Sequence, residues 1–255
     1  MLYAHGPDLC LASSLRHARA NCFEALMGAL FLDGGIELAD RVFGETLYDD
    51  NPKLLDIWSN LPPHPLQEDE PLGDRHWIAS SPILQKLVKF EKDTGIVYRH
   101  IRLLAKAFTM RNVGFNNLTC GHNQRLEFLG DSILQLVTSV FLFKHFPSHH
   151  EGHLSLLRSS LVNNRNQAIV CDDLGMTEHV ISADTRPAKG EPICLKTKER
   201  ADLVEAFMGA LYLDQGLDVC NVFCKVCFYP RLKVFIGFYK LLYSPCHTHV
   251  YMSYL

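Results

Sequence analysis

The chain reads as an all-α protein. Three observations carry this reading. Apolar residues recur at three- and four-residue spacing over most of the length, alternating strand patterns are nearly absent, and one helical segment occurs twice. Apolar residues make up 47 % of the 255 positions, enough to build a real core.

In chain order, residues 1–12 carry turn residues and no period, and read as loop. Helices follow over about 13–31 and 36–47, separated by Asp33-Gly34-Gly35. Residues 49–82 are rich in acid and proline (Pro62, Pro63, Pro65, Pro71, Pro82) and read as a linker. From Pro82 the helical pattern resumes over about 82–94, 99–109, 122–146, 151–163, 165–174, 197–214 and 217–227. Asn163-Asn164 interrupts one pair of these helices, Leu174-Gly175 has the form of a glycine stop, and 182–195 is a Pro/Lys loop.

Nine cysteines are scattered, without paired CxxC motifs. Cys22, Cys171 and Cys220 fall in apolar helical contexts, which predicts reduced core thiols and a reducing compartment. No signal peptide is apparent, and no apolar run is expected to reach the ~20 residues of a membrane span. A formal net charge of −3 gives nucleic-acid binding no support by itself, although metal-binding carboxylates count against that balance.

The chemistry concentrates in two acidic helices. Glu127 and Asp131 stand at i,i+4 in Arg125–Ser132, with Gln124 and Gln135 on the same stripe. Asp202 and Glu205 stand at i,i+3 in a helix apolar nearly all round (Leu203, Ala206, Phe207, Met208, Ala210, Leu211). Like charges in a nearly buried helix are costly unless a cation sits among them. Four converging carboxylates suit hard divalent cations. A di-iron oxidase cage would want Glu-x-x-His pairs, and no glutamate here has histidine three residues on. The bland reading of an acidic pair, a solvated helix face, fails because the second helix has no solvated face to spare.

The repeat matches Arg19–Asp33 to Arg200–Asp214, so that Glu24 coincides with Glu205 and Asn21 with Asp202. The second copy has an acidic helix upstream; the first has only twenty-three residues before Glu24. The chain therefore divides into the C-terminal part of one domain (1–50), a linker (51–81), a complete second copy (82–236) and an atypical tail (237–255).

These residues resemble ribonuclease III. Asn123–Ser132 is similar to that family's signature, Ala107-Phe108-Thr109-Met110-Arg111 to the segment before it, and Leu157–Asn164 and Ala201–Ala206 follow in the family's order. Two copies in one chain resemble the members with paired ribonuclease III domains. The wording of Met1–Cys10, of His145–His153 and around His64-Pro65-Leu66 favours one of the two tandem types. The likeness runs from residue 1 to about 236, and the double-stranded-RNA-binding domain expected next does not follow, so the chain reads as a fragment.

The resemblance implies an endoribonuclease cleaving the stem of primary microRNA hairpins, its two domains forming an internal pseudo-dimer that cuts one strand each. It implies Mg²⁺ or Mn²⁺ held by Glu127, Asp131, Asp202 and Glu205, with Glu24 the matching residue of the first domain. Glu127 and Glu205 would be inner ligands. It also implies a structural Zn²⁺ whose ligand here is His5, its other ligands lying outside the chain. A Pasha-type double-stranded-RNA-binding protein would be the partner, in the nucleus, with no membrane association. Gln124, Arg158, Asn163, Asn164 and Arg165 are candidate RNA contacts, against the equal claim of a solvated polar turn. Gln124 and Asn21 depart from acids found at those places in the family, which weakens the first site most. Gly130 and Gly209 inside helices suggest close helix approach, at the domain pair or in ordinary packing, and Phe128 and Leu129 either the pseudo-dimer contact or core. His149, His150 and His153 lack an obvious fourth zinc ligand and read as a surface cluster. A non-catalytic ribonuclease III-fold module remains the alternative, and activity of the chain alone is left open.

Overall fold

The computed structural model describes residues 9–183 and 194–232. The His5 turn, most of the 182–195 loop and the tail 237–255 lie outside them. The chain forms two compact units, Met1–Pro63 and His64–Leu255. Among the described residues all regular structure is helical; the one strand-like feature is an isolated parallel bridge between Thr109 and Ile181.

In the first unit, α1 (Leu9–Tyr48) bends where expected: Gly34 and Gly35 leave helical geometry, and Gly35 takes a φ of 76°. Helix α2 (Pro52–Ser59) starts with Asn51 accepting from the Leu54 N–H and proline in the first turn. Trp58 packs on Phe43 and Tyr48 and donates its indole N–H to Asp40 O. Leu15, Phe23, Leu26 and Leu32 remain exposed. Cys22, expected in a core, is exposed too, because nothing among the unit's described residues covers this face of α1.

The second unit comprises α3 (Pro65–Asp69), a 3₁₀ turn (Arg75–Ser80), α4 (Pro82–Thr94), α5 (Ile101–Ala107), α6 (Gln124–His145), α7 (Glu151–Leu161), α8 (Asn164–Asp173), α9 (Thr197–Gln215) and α10 (Leu217–Cys227). Helix α9 is the axis of the core: every residue from Leu203 to Leu211 is buried, against α5, α6, α8 and α10. Helix α6 is long and apolar enough to span a membrane by composition, yet Leu126, Ile133, Leu134 and Val137 belong to this core.

Residues 51–81, read from sequence as linker, contain α2, α3 and the 3₁₀ turn. Here prolines start helices rather than ending structure: Asn51 and His64 cap helices whose first turns hold Pro52 and Pro65. The stretch from His64 onward is fastened to the second unit. Leu66 is fully buried, Gln67 donates to Leu213 O at 2.8 Å, and Arg75 pairs bidentately with the buried Glu91. Asp214, near the end of α9, accepts from the Arg99 and His100 N–H groups and from the His100 ring, whose other nitrogen meets Glu70 O. This knot fixes the C-terminal end of the helix that carries Asp202 and Glu205.

Candidate metal centre

Helices α6 and α9 meet backbone to backbone, and two glycines permit it. A Cβ on Gly130 would stand 1.7 Å from Glu205 O, and one on Gly209 2.2 Å from Leu126 O. No other residue fits either place. The close approach that these glycines suggested therefore lies inside the second unit, and it brings the first turns of α6 alongside the carboxylates of α9.

Glu127, Asp202 and Glu205 are the result: one ligand oxygen from each lies within 4.8 Å of the other two. Glu205 is only 9 % exposed, and its carboxyl is pushed up to about 7, first by burial and then by the negative charge of Asp131, Asp202 and Glu127. Glu127 is raised as well, by burial and by Asp202, with Lys198 opposing. Lys198 reaches from the start of α9 to the cage, its Nζ 2.9 and 3.1 Å from the Asp202 oxygens and 3.8 Å from Glu127.

This donor set fits a hard divalent cation. All three ligands are carboxylate oxygens, one of them in a place where its own charge is unfavourable until a cation arrives. No histidine joins the group, which fits neither a zinc nor a di-iron site of the Glu-x-x-His kind. Asp131 lies outside the triplet but is the strongest charged neighbour of Glu205; Gln135, one turn on, donates to both its oxygens.

Other candidates fall elsewhere. Glu24 is exposed on α1, and among the described residues no second metal-ligating side chain groups with it. Gln124, Asn163, Asn164 and Arg165 are exposed. The Asn163 side chain already caps α8, accepting from the Asn166 N–H while donating to Ser160 O. Arg158 donates to Ser139 of α6. Phe128 is 80 % exposed and so is not core, whereas Leu129 packs partly against it. His150 caps α7 through Gly152, and among the described residues no metal grouping includes His149, His150 or His153. Two residues escaped sequence reasoning. Lys198 was legible as an i,i+4 partner of Asp202; Gln167, a buried amide beside Glu205, left no local signal.

The chain is similar to known proteins. A family profile described as "Ribonuclease III domain" matches residues 124–216. The chain is 59 % identical to proteins named "Ribonuclease 3" from mouse and human, over 92 % of this chain and 17 % of theirs. A Caenorhabditis elegans "Ribonuclease 3" is 51 % identical over 92 % of this chain and 21 % of its own length. The Streptococcus thermophilus protein of that name is 40 % identical over 57 % of this chain and 63 % of its own. Among solved structures, the nuclease domain of a Campylobacter jejuni ribonuclease III aligns with a TM-score of 0.49 at 29 % identity, over 56 % of this chain and 97 % of that one. The chain thus spans about a sixth of the length of the mammalian relatives.

Proposed function

We propose, from the premise that residues 124–216 are a ribonuclease III domain, that this chain supplies a cutting site of a divalent-metal-dependent endoribonuclease acting on double-stranded RNA. The observation that carries the proposal is the convergence of Glu127, Asp202 and Glu205 within 4.8 Å. Glu127 and Glu205 would hold the cation directly and Asp202 would complete the shell. Asp131, beside Glu205 but outside the triplet, supports a reading with two cations. Mg²⁺ or Mn²⁺ there would supply Lewis acidity toward a phosphate oxygen and a water.

The chain's own groups do the rest. The packed α6–α9 backbones hold the carboxylates in place, so little reorganisation is needed when a ligand enters. Burial of Glu205 keeps bulk water from its carboxyl, which strengthens its attraction for a cation. Lys198 offers a positive charge at the rim, where an RNA phosphate would approach. The exposed polar residues Gln124, Asn164 and Arg165 are in reach of the backbone-contacting role proposed for them, together with Arg158 and Asn163.

The finer reading is a Drosha-type enzyme: a nuclear protein cleaving primary microRNA hairpins, with paired ribonuclease III domains and a Pasha-type RNA-binding partner. Its support is the repeat of Arg19–Asp33 at Arg200–Asp214 and the identity to the animal relatives over nearly all of this chain. A Dicer-type enzyme is the alternative assignment. In this reading Glu24 serves the first domain's site, and His5 a structural zinc.

The test is Glu205→Gln in a full-length protein, with both strands of a labelled hairpin followed on a denaturing gel. Cleavage of one strand should stop while the other is still nicked. Loss of both cuts contradicts one site per strand. Unchanged cleavage, with no Mn²⁺ bound by the purified chain, would leave a non-catalytic RNA- or protein-binding module.

A further inference from the structure

Gln167 lies on α8, which packs along α9 beside Glu205, and its side chain is 1 % exposed. A buried primary amide has four hydrogen-bonding capacities to satisfy, and leaving one unmet is costly. Gln167 Nε2 donates to Val162 O at 2.9 Å, while its Oε1 is buried with no partner. Such an orphan calls for an explanation in a well-packed region. The neighbours of Gln167 on the same turn show what a purely structural amide does here. Asn166 donates to Ser160 O and Leu161 O, and Asn163 to Ser159 O and Ser160 O, so the last carbonyls of α7 are already served by side chains made for that purpose. Gln167 differs from both in standing beside the metal cage, where its amide favours the charged Glu205 carboxylate against burial.

We infer that Gln167 is a positioning residue of the metal centre, fixing the Glu205 carboxylate from behind and offering a buried acceptor to an O–H of the cation's hydration shell. The inference rests on the metal-site reading above and deepens it. Mg²⁺ keeps several of its waters when bound by proteins, and those waters are donors only. A carbonyl oxygen next to the inner ligand is the group such a shell needs, and it is the one atom of Gln167 without a partner. Groups that orient a metal ligand from behind typically contribute ten- to a hundredfold in metal affinity.

The experiment is Mn²⁺ titration of the purified chain, free ion being counted by its paramagnetic resonance signal. It compares wild type, Gln167→Met, Asn166→Ala and Glu205→Gln, with folding checked by circular dichroism. Gln167→Met keeps the volume and removes both amide functions, so Mn²⁺ should bind roughly tenfold or more weakly. Asn166→Ala loses bonds on the same turn without facing Glu205, and should lower the melting temperature with Mn²⁺ affinity unchanged. Gln167→Leu stands in should the methionine variant not fold. The inference is overturned if a folded Gln167 variant binds within twofold of wild type, or if Asn166→Ala weakens binding as much. Wild-type binding that Glu205→Gln abolishes and Gln167→Met leaves intact removes Gln167 alone. Equal or absent binding in wild type and Glu205→Gln removes the metal site with it.

Discussion

Glu205 should destabilise the metal-free protein it equips, and the effect can be sized. Its carboxyl ordinarily titrates near 4.5 and is pushed up to about 7 here, chiefly by burial. A proton equilibrium displaced tenfold is worth about 1.4 kcal/mol, so the gap corresponds to roughly 3 kcal/mol, and about 2 after allowing for residual solvent. The folded state holds this proton more tightly than the unfolded one. The stabilising contribution is therefore full below about 4.5 and lost as the pH rises through about 7. Glu205→Gln removes the charge and keeps the shape. In chelator at pH 8.5 the variant should melt some 4–8 °C above wild type, at the 2–4 °C per kcal/mol expected for a unit of this size. At pH 5 the difference should shrink toward zero. His64, whose pKa is lowered to about 4 by burial, works oppositely: its stabilisation is present above 6.5 and lost as the pH falls toward 4. It acts in both proteins and cancels in the difference, which is why the comparison is made at each pH between the two. Millimolar Mg²⁺ should raise wild type and not the variant, since only a binder of the native state shifts the melt. A variant less stable than wild type at pH 8.5 without metal would refute the reasoning, because Glu205 would then be a net stabiliser with a partner other than a cation.

Two further outcomes follow from the same geometry. Gly130→Ala or Gly209→Ala should cost at least about 3 kcal/mol, beyond the usual range for overpacking, because each Cβ meets backbone rather than a movable side chain. Gly28→Ala, the same place in the repeat, has open space around it and should gain about 0.5–1 kcal/mol of helix propensity; chemical denaturation of the three variants decides. Lys198→Met should tighten Mn²⁺ binding by up to about fivefold at low salt, the ceiling for a solvent-screened ion pair, and weaker binding would show Lys198 to be part of the cage rather than a competitor for it.

The sequence by itself determined the helical class, the positions of nearly every helix from Pro82 onward, and the four acids. Helical periodicity and i,i+3 or i,i+4 spacing are local properties, and a repeated segment advertises itself without coordinates. It misread 51–81, because proline signals a break and a first helical turn alike, and only a capping side chain at Asn51 or His64 separates the two. The two repeats also differ in burial, which their wording does not reveal. Arg19–Asp33 and Arg200–Asp214 are nearly the same words, yet Phe23, Leu26 and Glu24 are exposed whereas Val204, Phe207 and Glu205 are buried. Burial depends on what packs against a helix, and in the second unit that is α6, held at backbone distance by Gly130 and Gly209. The tertiary structure alone decided which acids meet most closely, which of them loses its solvent, and that Gln167 stands beside them, since those facts join α6, α8 and α9 across distances in sequence that no local pattern spans.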